Sequence, residues 1–192
     1  MKYLICGLGN MHIDYMGTRH NIGFEVADAL AQMHGGQWSP DTHCHKSQIK
    51  IKNKTLILIK PTTFMNLSGK AVRYWMQKEK VELNHILVVT DDLNIDFGTI
   101  RLKPGGSDGG HNGLKDIQTM LGSVQYPRLR IGIGADFSKG RQVNYVLSKW
   151  TDQESKWIPE ILEASVKAIE TFSLEGISSG MNKYNSFKIS NP

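Results

Sequence analysis

Lys2-Tyr3-Leu4-Ile5-Cys6-Gly7-Leu8-Gly9-Asn10 is a short apolar run that stops on two glycines and an asparagine. Its length and its turn-forming end make it a buried strand rather than a helix. Residues 21–33 follow, with Ile22, Val26, Ala29, Leu30 and Met33 on one helical stripe, and Gly35-Gly36 stops them. A buried strand turning on glycines towards a helix is the opening of an α/β chain, and the rest of the sequence continues that alternation.

Residues 47–51 and 55–59 read as two strands joined by a turn at Asn53, with Pro61 ending the second. Residues 68–80 read as a helix with Ala71, Val72, Trp75 and Met76 inward, and residues 86–90 as a buried strand. Residues 99–103 and 128–133 alternate as strands, and residues 112–121 read as a helix. Thr151-Asp152-Gln153-Glu154 is a capping box. An apolar face from Trp157 to Phe172 follows it, and Pro159 either kinks that helix or moves its start to about Ser155. The polar tail from residue 178 is expected to be flexible. No repeat or linker interrupts the chain, so residues 1–192 are expected to form a single α/β domain with a largely parallel sheet.

The 192 residues, 40% hydrophobic and 21% charged, exclude collagen, low-complexity chain and gross disorder. No apolar run reaches the ~18–20 residues of a membrane span. The short lead into the first strand gives no room for a secretory signal, and two cysteines cannot build a disulfide framework. A reducing, cytoplasmic setting is therefore expected. The net charge of +5 is uneven: residues 1–149 hold 19 Lys+Arg against 12 Asp+Glu. Such a basic body suits a polyanionic partner, though an ordinary basic protein would look the same.

Several motifs fail on spacing. Gly7-Leu8-Gly9 lacks the third glycine of a dinucleotide turn. Gly105-Gly106-Ser107-Asp108-Gly109 matches a nucleophile elbow and keeps a serine esterase open as an alternative. However, the last histidine, His111, falls inside the same turn, and glycines that supply positive φ explain the motif equally well. Asp91–Gly98 misses the calcium-loop spacing, its glycine falling one place late, and His43-Cys44-His45 has no second ligand pair, so no metal is expected. What remains are polar residues at element ends: Asn10, His20, Asn66, Asp91 and Asn112. Any one of them could be a cap or turn residue, and Asn21 or Asn112 could be a helix N-cap. Together they have a chemical logic. A histidine held by a carboxylate is a water-activating base, and asparagines can hold a carbonyl and its developing oxyanion.

Gly7-Leu8-Gly9-Asn10 with Tyr15 and Thr18-Arg19-His20-Asn21, Lys60-Pro61-Thr62-Thr63-Phe64-Met65-Asn66-Leu67-Ser68-Gly69, Asp91-Asp92-Leu93, Gly109-Gly110-His111-Asn112-Gly113-Leu114 and Arg128-Leu129-Arg130-Ile131-Gly132-Ile133-Gly134 occur in that order. In order and spacing they resemble the bacterial-type peptidyl-tRNA hydrolases, over about residues 2–175. The resemblance implies a monomeric cytoplasmic α/β protein whose mixed, twisted sheet is flanked by helices. It implies cleavage of the ester between a peptide and the terminal ribose of tRNA, without a cofactor. By position, His20 resembles the family's base and Asp91 its orienting partner. Asn10, Asn66 and Asn112 resemble the residues that hold the water, the peptide carbonyls and the tRNA end. Tyr15 and Met65 resemble walls of the peptide channel, and Lys103 and Arg130 the pair that grips the tRNA 5′-phosphate. Met11-His12 stands where the family usually has Pro-Gly, and Asn94 where an acid is common. A non-catalytic RNA-binding relative with the same fold is the other reading, against which the retention of Asn10, His20 and Asp91 together speaks.

Overall fold

The computed structural model describes residues 1–190. The first half holds β1 (Lys2–Gly7), α1 (Ile22–Met33), β2 (Ser39–Asp41), β3 (Cys44–Ile51), β4 (Lys54–Pro61) and α2 (Ser68–Glu79). The second holds β5 (Ile86–Asp92), β6 (Ile100–Lys103), α3 (Asn112–Leu121), β7 (Arg128–Gly132), α4 (Gln142–Val146), α5 (Asp152–Ser155), α6 (Ile158–Glu175) and α7 (Ile177–Tyr184).

The strands form one seven-stranded sheet in the order β2-β3-β4-β1-β5-β7-β6. The four inner strands run parallel. The edges, β2 and β3 on one side and β6 on the other, run antiparallel to their neighbours. The sheet is therefore mixed, as the family resemblance implied, and the alternation of elements had reported only its parallel centre. Side chains alternate across it as strand geometry requires. Tyr3 and Ile5 pack with α1 and α6, whereas Leu4 and Cys6 pack with α2 and α3. The result is a single α/β domain with a helical layer on each face.

Close backbone packing sets the position of α1. A Cβ on Gly23 would lie 2.5 Å from the backbone of Leu8 and of Val89, and one on Gly7 would lie 2.2 Å from the Gly23 carbonyl oxygen. Alanine at position 23 would ordinarily favour the helix by ~1 kcal/mol. Here the obstruction is backbone, which cannot turn away, so overpacking at roughly 1–3 kcal/mol wins. Net of that helix gain, Gly23→Ala is expected to lower the melting temperature by up to roughly 8 °C, a shift that a thermal melt reads directly.

Four local expectations change. β5 runs two residues beyond Thr90, so Asp91 and Asp92 belong to the strand. β2 is short, polar and exposed, and so carried no apolar signal. Of the two readings of Pro159 the second is nearer: the capping box opens the brief α5, and Pro159 sits in the first turn of a separate α6 that starts at Ile158 rather than near Ser155, so it kinks no helix. The tail expected to be flexible from residue 178 is docked as far as residue 190. The Asn185 side chain accepts from the Leu102 N–H at 2.7 Å and donates to the Leu102 carbonyl at 3.0 Å, and Ile189 is buried. The tail thereby satisfies polar groups of an edge strand that would otherwise face water. The last two residues of that expectation lie outside the described residues.

Candidate active site

Segments following β1, β4 and β5 and the segment leading into α3 converge at the carboxyl ends of the parallel strands, where open α/β sheets place their sites. They surround a cavity of about 250 Å³ lined by Asn10, Tyr15, His20, Met65, Asp91 and Asn112, among others. Asn66 lies beside Met65 but is exposed and does not line the cavity.

Each side chain arrives by a local cause. The turn after β1 needs small residues, since a Cβ on Gly9 would lie 2.6 Å from the Phe24 ring. The glycines of this turn thus serve close packing. His20 occupies a 3₁₀ turn, Arg19–Asn21, just before α1. The neighbouring Arg19 is buried; its guanidinium donates to the Ser148 hydroxyl, the Lys149 carbonyl and the Glu154 carboxylate, and lies 4.3 Å from the Tyr145 ring centre. That network ties the histidine turn to the segment carrying α4, whose Gln142, Val143 and Val146 form a further wall of the cavity.

His20 Nδ1 lies 2.9 Å from Asp91 Oδ2 and 3.0 Å from Oδ1. On the other side, His111 Nε2 lies 3.0 Å from Asp91 Oδ1. The tautomer of His111 follows from its second nitrogen, which accepts from the N–H groups of Gly113 and Leu114 and so caps α3. Nδ1 is the acceptor, hence Nε2 carries the proton and donates to Asp91. An ionised carboxylate only accepts, so His20 Nδ1 donates as well, and His20 Nε2 is left as the basic nitrogen. Burial opposes ionisation of Asp91, yet the two histidines hold its carboxyl well below the usual carboxylate range. Burial also opposes a charged His20, but the charge of Asp91 and its hydrogen bond raise the imidazole above its ordinary value.

His20, Asp91 and His111 also offer ligand-type atoms within 4.8 Å of one another. The nitrogens that face Asp91 are spent on hydrogen bonds to it, and His111 Nδ1 is spent on the helix cap. Asp92 is engaged too, by Arg130 Nε at 2.5 Å and by the Asn94 N–H at 2.8 Å. Ser107 is not placed as a nucleophile: its carbonyl accepts from Arg128, it does not line the cavity, and Gly106, Gly109 and Gly110 around it adopt φ of 139°, 60° and 86°. His12 is exposed, does not line the cavity and is paired with Asp14.

Neither cation of the expected pair lines this cavity, although Arg130 is bonded to Asp92, which does. β6 and β7 are neighbours, with Lys103 opposite Arg128 and Arg101 opposite Arg130. Lys103 and Arg130 are thus diagonal on one face of the sheet, at a Cα spacing of ~7–8 Å. Arg128 is buried and bonded to the Ser107 and Val124 carbonyls, so it serves the fold.

Fold and site together define an α/β protein with a histidine–carboxylate centre at the carboxyl edge of its sheet. A family model described as Peptidyl-tRNA hydrolase matches residues 4–192. The Peptidyl-tRNA hydrolase of Cytophaga hutchinsonii is 52% identical over 188 residues, covering 98% of this chain and 100% of that one. That of Porphyromonas gingivalis is also 52% identical, over 96% of this chain and 100% of its own. Among solved structures, a peptidyl-tRNA hydrolase in complex with n-propanol superposes with a TM-score of 0.93 at 34% identity, covering 98% of this chain and 96% of that one. The enzyme of Acinetobacter baumannii gives a TM-score of 0.92 at 34% identity, over 97% and 95%. The chain belongs to the peptidyl-tRNA hydrolase family.

Proposed function

We propose that this chain hydrolyses the ester between a peptide and the 3′-terminal ribose of tRNA, using water activated by His20. The observation that carries the mechanism is the Asp91–His20 contact at 2.9 Å, which engages Nδ1 and leaves Nε2 as the basic nitrogen of a residue that lines the cavity. The water oxygen attacks the ester carbonyl carbon while His20 Nε2 takes its proton. The tetrahedral intermediate then expels the ribose 3′ oxygen, to which His20 returns the proton. The products are a peptide carboxylic acid and a free 3′-hydroxyl. Asn10 and Asn112 line the cavity as amide donors for the developing oxyanion and the tRNA end, Asn66 serves from the rim, and Tyr15 and Met65 wall the peptide.

Family membership and the names of the relatives support the substrate. The reading takes the tRNA acceptor end and 5′-phosphate as contacts, a single chain as the working unit and the cytoplasm as its place. Among the described residues, no helix is long and apolar enough to cross a membrane. Residues 99–149 hold 8 Lys+Arg against 3 Asp+Glu, which suits a polyanion.

Purified protein is expected to release peptide from peptidyl-tRNA in excess EDTA, and Ser107→Ala is expected to keep most of that activity. Binding of tRNA without release would favour the non-catalytic reading. Loss with chelator would assign a metal to the His20, Asp91 and His111 cluster, and loss in Ser107→Ala would restore the esterase.

Lys103 and Arg130 are read as the clamp on the 5′-phosphate, a point charge beside a planar fork. The contact is remote from the ester and is made equally in ground and transition states. Lys103→Ala should therefore raise KM for 5′-phosphorylated substrate and leave kcat nearly unchanged. Dephosphorylated tRNA should weaken the wild type in the same way, and the two losses should not add. The cycle is run at one salt concentration, because phosphate contacts are salt-dependent. Additive losses would show that Lys103 does not touch that phosphate.

A further inference from the structure

Asn21 occupies the N-cap position of α1, yet its side chain makes no cap hydrogen bond. Asparagine at that position ordinarily bonds the open N–H groups of the first helical turn. Here the amide is turned away from its own helix towards Asn10. Its Oδ1 accepts from the Asn10 N–H at 2.8 Å, and its Nδ2 donates to the Asn10 carbonyl at 2.9 Å. The two bonds are complementary and fix which end of the amide is which. Asn21 is only 4% exposed, so water cannot replace either bond without rearrangement.

We propose that Asn21 is a positioning residue for Asn10, holding that residue's backbone by both polar groups so that its side chain is presented to the reacting ester. The inference rests on the reading above, in which Asn10 acts in the cavity. Three observations carry it. Asn10 lines the cavity, and among the described residues no hydrogen bond engages its side-chain amide, which is free for a ligand. The loop that follows, through the exposed His12, Ile13 and Asp14, supplies little packing to hold Asn10 in place. Asn21 itself is anchored, through its N–H to the Thr18 carbonyl at 3.0 Å and through the Gly23 backbone contact with β1 and β5. A donor that stabilises a transition state acts through being fixed beforehand, since a mobile amide must reorganise during the reaction. The helix gives up a cap so that a loop is fixed, which is the pattern of a local rule broken at a functional site.

Asn21 lies next to His20, so the test must separate an effect on Asn10 from one on the base. Asn10→Ala, Asn21→Ala and the double variant form a cycle, read as kcat, KM, the pH profile of kcat and the melting temperature. Loss of one preorganised donor costs roughly 10²–10³ in kcat. Asn21→Ala is expected to lose at least roughly tenfold of that, with KM little changed. The double variant is expected to be no slower than Asn10→Ala alone, because nothing remains to be positioned. The acid limb of the pH profile is expected to stay where the wild type has it. Asn21→Asp covers the case in which the alanine variant folds poorly. It has the same shape and keeps the acceptor for the Asn10 N–H, but sets a carboxylate oxygen against the Asn10 carbonyl, and the same loss in kcat is expected.

Additive losses, or wild-type kcat in both Asn21 variants, would overturn the inference while leaving Asn10 in its role. A displaced acid limb in Asn21→Ala, which adds no charge beside the imidazole, would overturn it by showing that Asn21 acts on His20. Wild-type turnover in Asn10→Ala would overturn both the inference and the reading of Asn10 on which it rests.

Discussion

Replacing His20 by alanine lowers turnover roughly 10²–10⁴-fold, the range that a positioned general base contributes, while tRNA binding survives. The fold is expected to tolerate the change. Asp91 keeps the hydrogen bond from His111, so its buried carboxylate is not left without a partner. The Arg19 network and the Asn21 bonds hold the turn without the imidazole. Single-turnover peptide release, measured beside tRNA binding, separates chemistry from affinity. A fall in kcat and in kcat/KM by the same factor marks an interaction made only in the transition state. Near-wild-type release would remove His20 from the mechanism.

Asp91→Asn carries the second large effect, and its sign follows from His111. The cap on α3 keeps His111 Nε2 as a donor, so an asparagine at position 91 would turn its carbonyl oxygen towards His111. Its Nδ2 would then face His20 Nδ1. Nδ1 also lies 3.0 Å from the Oδ1 position, but the amide N–H groups at the 2.9 Å position oppose a proton on it and favour the tautomer protonated at Nε2, the nitrogen the reaction needs bare. The variant also loses the negative charge that raises the His20 pKa. Turnover is expected to fall by about the same roughly 10²–10⁴ as for loss of the base itself. His111→Gln would be milder, since Asp91 and His20 keep their contact. Equal turnover in Asp91→Asn and wild type would show that the carboxylate does not set the tautomer.

The strand-and-helix alternation was legible because most core strands carry continuous apolar runs and the long helices carry a stripe. The edges were not. β2 is a three-residue polar strand, and α4 is a five-residue helix, too short for a period to register. The docking of the tail depends on Asn185 meeting Leu102 across 83 residues, and no local pattern announces a contact at that range. In the site, Asn10, His20 and Asp91 stood out as polar residues at the ends of apolar elements. His111 carries no such signal: the sequence offers it as a candidate partner for Ser107 and as one residue of a glycine-rich motif. Histidine is not among the preferred N-cap residues, so its capping of α3 had no sequence signature. The available signal was its place one residue before a helix that begins with Asn112-Gly113. Arg19 was invisible for a different reason: all of its side-chain partners lie more than a hundred residues away.

The pH dependence of single-turnover peptide release tests most directly whether His20, held by Asp91, activates the water. His20 must be neutral to take the proton, so the rate rises with pH through its pKa. That pKa is raised by the Asp91 charge and hydrogen bond against the opposing effect of burial. The account predicts an acid limb with its midpoint above the ordinary imidazole value of ~6.5, absent in His20→Ala and moved to lower pH in Asp91→Ala, where residual activity permits its measurement. A limb unchanged in both variants, or a rate independent of pH across the imidazole range, would contradict it.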